Sequence, residues 1–106
     1  MGDVVPRESA VVNRIMKNLA KQPYCWAKKW HGDGFGDSGV PDIIGCYMGR
    51  FFALEVKAPG GSHPVTPLQR WELQQIGNAS GLAAIVESWE DVERVLGLDD
   101  GSVRPA

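Results

Sequence analysis

The chain has 106 residues, of which 43% are hydrophobic, and its formal net charge at pH 7 is -2. This length predicts one compact domain over residues 1–98, followed by a flexible tail over 99–106. The apolar runs are too short to span a membrane and the N-terminus lacks the pattern of a signal peptide, so we expect a cytoplasmic protein without membrane contact. The negative net charge argues against a protein that coats nucleic acid through bulk positive charge.

Basic residues concentrate near the start of the chain, whereas acidic residues crowd its end. The candidates for contacting nucleic-acid phosphates are Arg14, Lys17, Lys21, Lys28 and Lys29. A solvated helix face explains the same pattern equally well.

The cysteines and tryptophans are expected to be structural. Cys25 and Cys46 lack CxxC spacing, which favours buried thiols over a disulfide or a zinc site. Core packing is the favoured interpretation of the tryptophans, with a subunit interface as the alternative. These tryptophans are Trp26, Trp30, Trp71 and Trp89.

The first periodic segment runs from Glu8 to Lys21 and predicts a helix. Its apolar stripe contains Val12, Ile15 and Leu19, and Glu8 heads that stripe. A favourable acidic charge near a helix N-terminus is the simplest explanation of Glu8.

An aromatic strand is predicted next, over residues 24–30, followed by a glycine-rich loop over 31–39. The loop does not match a phosphate-binding motif, so no nucleotide cofactor is expected. Its glycines would let a substrate backbone approach closely.

A hairpin is predicted after this loop, with strands over 42–47 and 50–57 joined by a two-residue turn. Symmetric pairing around the turn sets Asp42 opposite Glu55, and Lys57 lies on the same face as Glu55. Cross-strand carboxylates would be only about 5 Å apart and would repel. A hard divalent cation with oxygen ligands, Mg²⁺ or Mn²⁺, is the natural group to place between them. A bulge or an odd-length loop would break this pairing.

The second half of the chain predicts helix, strand and helix. Thr66 and Gln69 have the spacing of a capping box, and the helix they open carries Gln69, Leu73 and Ile76 on one stripe. The continuous apolar run over 82–86 predicts an internal strand covered on both faces. A last helix is expected from Ser88 to about residue 96. The resulting α/β order, α-β-β-β-α-β-α, predicts a mixed central sheet flanked by helices.

These motifs together resemble the PD-(D/E)XK nuclease superfamily, and within it the stand-alone form of the VRR-NUC branch. The resemblance rests on the segments 39–45, 55–61 and 66–69, which contain Asp42, Glu55, Lys57 and Gln69. It implies a restriction-endonuclease-like core in a protein of bacteria or of virus-infected cells. A lone Glu-x-Lys would be a weak signal, because alternating charges are ordinary on a strand.

The resemblance also implies site roles. Mg²⁺ or Mn²⁺, as one or two ions, would be held by Asp42, Glu55, the Val56 carbonyl and Glu8. Lys57 would orient the attacking water and stabilise negative charge, and Gln69 would position water, Lys57 or a phosphate.

The implied activity is that of a structure-selective DNA endonuclease that cuts four-way (Holliday) junctions as a homodimer. A flap or fork nuclease, a non-catalytic module that binds branched nucleic acid, and a small structural protein that binds a stabilising ion remain the alternatives.

Overall fold

The structure is a computed structural model and describes residues 7–30, 39–61 and 64–98. The elements follow the predicted order: α1 (Glu8–Leu19), β1 (Cys25–Lys29), β2 (Ile43–Tyr47), β3 (Arg50–Val56), α2 (Pro67–Asn78), β4 (Leu82–Val86) and α3 (Trp89–Leu96). The predicted tail over 99–106 and most of the predicted glycine-rich loop lie outside the described residues.

The four strands form one mixed sheet in the order β1-β2-β3-β4. The first two pairings are antiparallel, whereas β3 and β4 are parallel. Parallel neighbours need a crossover connection, and α2 lies within it. The mixed sheet flanked by helices is therefore confirmed.

The β2–β3 hairpin has the predicted register. Tyr47 pairs with Arg50 and Ile44 with Ala53. The turn residues Met48 and Gly49 have φ angles of 53° and 84°. Positive φ at both central positions is the signature of a type I′ turn, whose twist matches that of the strands it joins.

One face of the sheet is covered by two helices and is called here the core face. α1 and α3 pack on it, and together with the inward side chains of the strands they form the main hydrophobic cluster. Val11, Ile15 and Leu19 are the buried residues of α1, so the predicted stripe is right except that Val12 is only half-buried. This face supplies the burial that stabilises the fold.

The opposite face, called here the site face, carries Ile44, Cys46, Ala53 and Glu55 by strand alternation. α2 contacts β3 and β4, and Leu73 is its buried residue. The half of the site face formed by β1 and β2 is therefore less covered.

The strand order and the incomplete coverage of the site face overturn two expectations. β4 was expected to be internal, but it is an edge strand in the described sheet, and Ile85 is exposed. Core packing is wrong for three of the tryptophans, because Trp26, Trp30 and Trp71 are 50–54% exposed, whereas Trp89 is buried. Burial on the second face depends on where α2 lies, which local periodicity does not reveal.

The remaining expectations concern cysteines and membranes. Cys25 and Cys46 are free and half-buried rather than buried, and burial together with the neighbouring Cys46 raises the pKa of the Cys25 thiol. Within the described ranges, no helix is long and apolar enough to cross a membrane.

Candidate active site

The open end of the β2–β3 hairpin brings Asp42 to Val56. Asp42 directly precedes β2, and its carbonyl accepts a hydrogen bond from the Trp30 N–H at 2.7 Å. The Val56 N–H donates to Asp42 Oδ2, also at 2.7 Å. The side chain of Asp42 thereby ends the β2–β3 ladder and is held in place.

Pro41 contributes to this arrangement. If the register continued by two residues beyond Ile43 and Leu54, Pro41 would lie opposite Val56. Proline has no N–H to donate to the Val56 carbonyl. The N–H and C=O of one strand residue point to the same side, so the Val56 carbonyl faces Asp42, as the Val56 N–H does. Its oxygen is therefore available to bind a cation.

Glu55 is the buried acid of the site, with 2% of its surface exposed. Its Oε2 accepts a hydrogen bond from Gln69 Nε2 at 2.9 Å and lies 3.5 Å from Lys57 Nζ. Its Oε1 is buried and has no hydrogen-bond partner among the described residues. A buried carboxylate oxygen without a partner is costly, and a bound cation would satisfy it.

The electrostatics of Glu55 are unfavourable in the absence of a cation. Burial, and then the neighbouring Asp42, raise the pKa of Glu55 from 4.5 to about 7, while Lys57 acts in the opposite direction. The expected repulsion between the two acids is therefore present. A cation beside them would favour the ionised form.

Gln69 serves both α2 and the site. Its Oε1 accepts from the Thr66 N–H at 2.8 Å, while its own N–H donates to Thr66 Oγ1 at 3.1 Å, so the predicted capping box is confirmed. Because the carbonyl of the amide is used by the cap, its NH₂ group is directed towards Glu55. The two alternatives for Gln69, capping or a site contact, are thus combined.

Glu8 lies at the start of α1 and borders the site from the helical side. It lines a cavity of about 360 Å³ together with Asp42 and Lys29. It also lines a more open cleft of about 770 Å³ with Lys57 and Gln69. Within the described part of the chain, no three acidic, histidine or cysteine side chains are close enough to hold a metal ion by themselves. A ligand role for Glu8 stays a prediction.

Comparison with protein-family models and with curated proteins gave no match. Among solved structures, a VRR_NUC domain matches with a TM-score of 0.66 and 21% sequence identity, over 85% of this chain and 94% of that chain. The chain has the fold of a VRR_NUC domain. At this identity the likeness concerns the backbone, so the chemistry must be argued from the side chains.

The VRR_NUC fold does not gather the candidate phosphate-binding residues into one patch. Lys28 and Lys29 point to opposite faces of β1, and only Lys29 lines the cavity beside Asp42. Arg14 forms an exposed ion pair with Glu90 at 3.2 Å. The two other candidates, Lys17 and Lys21, are exposed in α1 and just after it.

Sequence reasoning missed two contributions to the site of this VRR_NUC fold. Trp30 lines the cavity beside Asp42 and bonds to its backbone. The Thr66 N–H fixes the orientation of the Gln69 amide. The capping-box spacing was the sequence signal for Thr66. For Trp30 the only signal was an aromatic side chain at the end of a predicted strand.

Proposed function

We propose that this chain is a metal-dependent DNA endonuclease. The observation that carries the proposal is the buried Oε1 of Glu55, which lacks a partner although Asp42 lies beside it and Lys57 Nζ is 3.5 Å from its other oxygen. The VRR_NUC fold of the chain supports a nuclease-type domain.

The donor set suits a hard divalent ion. Asp42, Glu55 and the Val56 carbonyl would hold Mg²⁺ or Mn²⁺, with Glu8 as the additional acid, as one or two ions. When bound, such an ion lowers the pKa of water and neutralises charge that gathers on the phosphate.

The other residues orient groups around these acids. Lys57 directly follows β3, and its ammonium is held 3.5 Å from Glu55 Oε2. There it can stabilise charge on a phosphate oxygen or orient the attacking water. Gln69 keeps Glu55 Oε2 occupied, which leaves Oε1 as the oxygen that would bind the ion.

The substrate is proposed to be a four-way DNA junction cut by a homodimer, because the two symmetry-related active sites of a dimer can each cut one of two opposed strands. This part of the proposal is supported by the resemblance to stand-alone VRR-NUC proteins. A non-catalytic binding module is disfavoured, because a binder gains nothing from carboxylates directed at a phosphate backbone.

A cleavage panel tests the proposal. Purified protein is incubated with a four-way junction, a flap, a fork, linear duplex and single strand, each with Mg²⁺, Mn²⁺ or EDTA. We expect metal-dependent cutting that falls at least about 100-fold in Asp42→Asn, Glu55→Gln and Lys57→Met. Glu90→Gln is the matched control, because it removes an exposed acid on α3. Undiminished cutting by the Asp42 and Glu55 variants would overturn the proposed site.

A second measurement separates the enzyme from an ion-stabilised structural protein. Calorimetric titration with Mn²⁺, without DNA, is expected to show binding that Asp42→Asn and Glu55→Gln abolish. If Mg²⁺ raises the melting temperature but no DNA in the panel is bound or cut, the structural interpretation is supported instead.

A further inference from the structure

Trp26 and Lys28 alternate along β1, so their side chains share the site face, and Trp30 directly follows β1 and lines the cavity beside Asp42. Trp26 is 54% exposed and Trp30 50% exposed. We propose that these residues, called here the β1 strip, bind unpaired nucleotides adjacent to the phosphate that is cut. This inference rests on the proposed nuclease activity, and it favours the fork and flap of the cleavage panel over the four-way junction, because their branch points carry unpaired nucleotides.

The surroundings of the strip are open and apolar. Trp26 pairs with Cys46, which in turn pairs with Phe51, and Phe51 is 43% exposed. α2 contacts β3 and β4 rather than this half of the sheet. A flat apolar row with an exposed indole at its end is suited to stacking against the face of a base.

The strip leads to the carboxylates. The Trp30 N–H is bonded to the Asp42 carbonyl at 2.7 Å, and Trp30 lines the same cavity as Glu8, Lys29 and Asp42. A nucleic-acid strand that lies along β1 would therefore arrive at the acids of the site. The lysine between the tryptophans supplies the positive charge that a phosphate backbone requires.

The dimensions limit the bound segment to a short one. Trp26 and Trp30 are four residues apart, and a strand advances by about 3.3 Å per residue, so their backbones are about 13 Å apart. Stacked nucleotides advance by about 3.4 Å along a strand, which makes this distance at most about four nucleotides. Exposed bases are needed, because paired bases do not offer their faces to side chains.

A second copy of the chain is the competing occupant of the strip. Charged residues on an edge strand, lysine above all, disfavour pairing with another strand. Lys28 and Lys29 are both exposed on β1, which is an edge of the described sheet. The combination of aromatic and cationic side chains thus favours a nucleic acid.

The test measures binding separately from cutting. Fluorescence anisotropy in EDTA compares a fluorescein-labelled fork with unpaired thymidines and a fully paired duplex of equal length. The full chain is expected to bind the fork more tightly. Trp26→Ala and Trp30→Ala should each weaken fork binding roughly 5- to 150-fold, the range for loss of one base stack. Trp26→Phe and Trp30→Phe should retain most of the affinity, and Lys28→Gln should reduce its salt dependence.

Trp71→Ala is the matched control, because Trp71 is as exposed as Trp26 but lies on α2. The proposal that the β1 strip binds nucleotides is overturned if Trp71→Ala weakens fork binding equally. It is also overturned if the Trp26 and Trp30 variants bind the fork as tightly as wild type. A shift from dimer to monomer in sedimentation of these variants with unchanged fork affinity overturns it as well, since the strip would then be an interface between copies. If the Trp26 and Trp30 variants lose fork affinity but wild type cuts no DNA with Mg²⁺ or Mn²⁺, the proposed hydrolysis is wrong, whereas the proposed nucleotide binding by the β1 strip is supported.

Discussion

The two ends of the β2–β3 hairpin lie in opposite environments, although one register runs through both. At the turn, Met48 is 46% exposed, and a Cβ added to Gly49 would meet nothing within 4 Å. At the open end, Glu55 is 2% exposed and lies beside a second carboxylate, Asp42. The turn obeys local backbone preferences, whereas the open end holds groups that repel each other.

This difference shows where the hairpin carries unfavourable interactions. Two neighbouring acids would separate in an isolated hairpin. In the folded chain, Gln69 from α2 and Lys57, which directly follows β3, hold Glu55 in place. The destabilising residues are concentrated where tertiary contacts constrain them, as is common at functional sites.

The largest effect is expected from Gly45→Ala, in the middle of the hairpin. A Cβ there would lie 2.4 Å from Phe52 Cζ and 2.4 Å from the Trp26 carbonyl oxygen. Both neighbours are constrained by the β-sheet, so we expect the free energy of unfolding to fall by about 3 kcal/mol. Urea denaturation measures this. A loss below that of Gly49→Ala would show that the centre of the hairpin is not closely packed.

The second prediction concerns pH at the open end. Because the pKa of Glu55 rises from 4.5 to about 7 on folding, the folded protein binds this proton more tightly than the unfolded chain. The stabilisation is complete below about pH 4.5 and is lost as the pH rises through about 7. Over this range we expect the free energy of unfolding of the metal-free wild type to fall by up to about 3 kcal/mol relative to that of Glu55→Gln.

Urea titrations in EDTA at several pH values measure this difference between the two proteins. Parallel pH profiles for wild type and Glu55→Gln would contradict a perturbed Glu55. Saturating Mn²⁺ should flatten the wild-type profile, because a bound cation favours the ionised carboxylate.

The third prediction concerns the hydrogen bond from α2 to Glu55 at the open end. Gln69→Leu deletes the bonds to Glu55 and to the Thr66 N–H, so we expect a loss of about 2 kcal/mol. Thr66→Ala is the control, since it removes the hydroxyl but keeps the N–H that orients Gln69, and should cost about 1 kcal/mol. Thermal unfolding of both variants measures the difference. Equal losses would mean that Gln69 acts only as a cap.

The smallest effect is expected at the turn. Gly49→Ala places a side chain at φ 84° in open space, so only backbone strain is added, and we expect a loss of about 1 kcal/mol. Gly49→Asn should cost less, because asparagine tolerates positive φ. Denaturation midpoints report both values. A loss as large as that of Gly45→Ala would remove the contrast between the two ends.

Local patterns were sufficient for much of the fold. The turn at Met48 and Gly49 and the cap at Thr66 were predicted because φ preferences and capping bonds act within a few residues. The edge position of β4 was not, because it depends on the strand order, and the exposure of Trp26 was not, because it depends on which part of the sheet α2 covers. Periodicity identifies an apolar residue but not the element that covers it.

By itself the sequence determined the element order, the hairpin register and hence the juxtaposition of Asp42 and Glu55, since these follow from alternation and turn chemistry. Only the tertiary structure decided that Glu55 Oε1 is buried without a partner and that Gln69 serves both cap and site. Burial and long-range hydrogen bonds depend on how distant elements pack. Those same contacts raise the pKa of Glu55 and leave the β1 strip open to solvent.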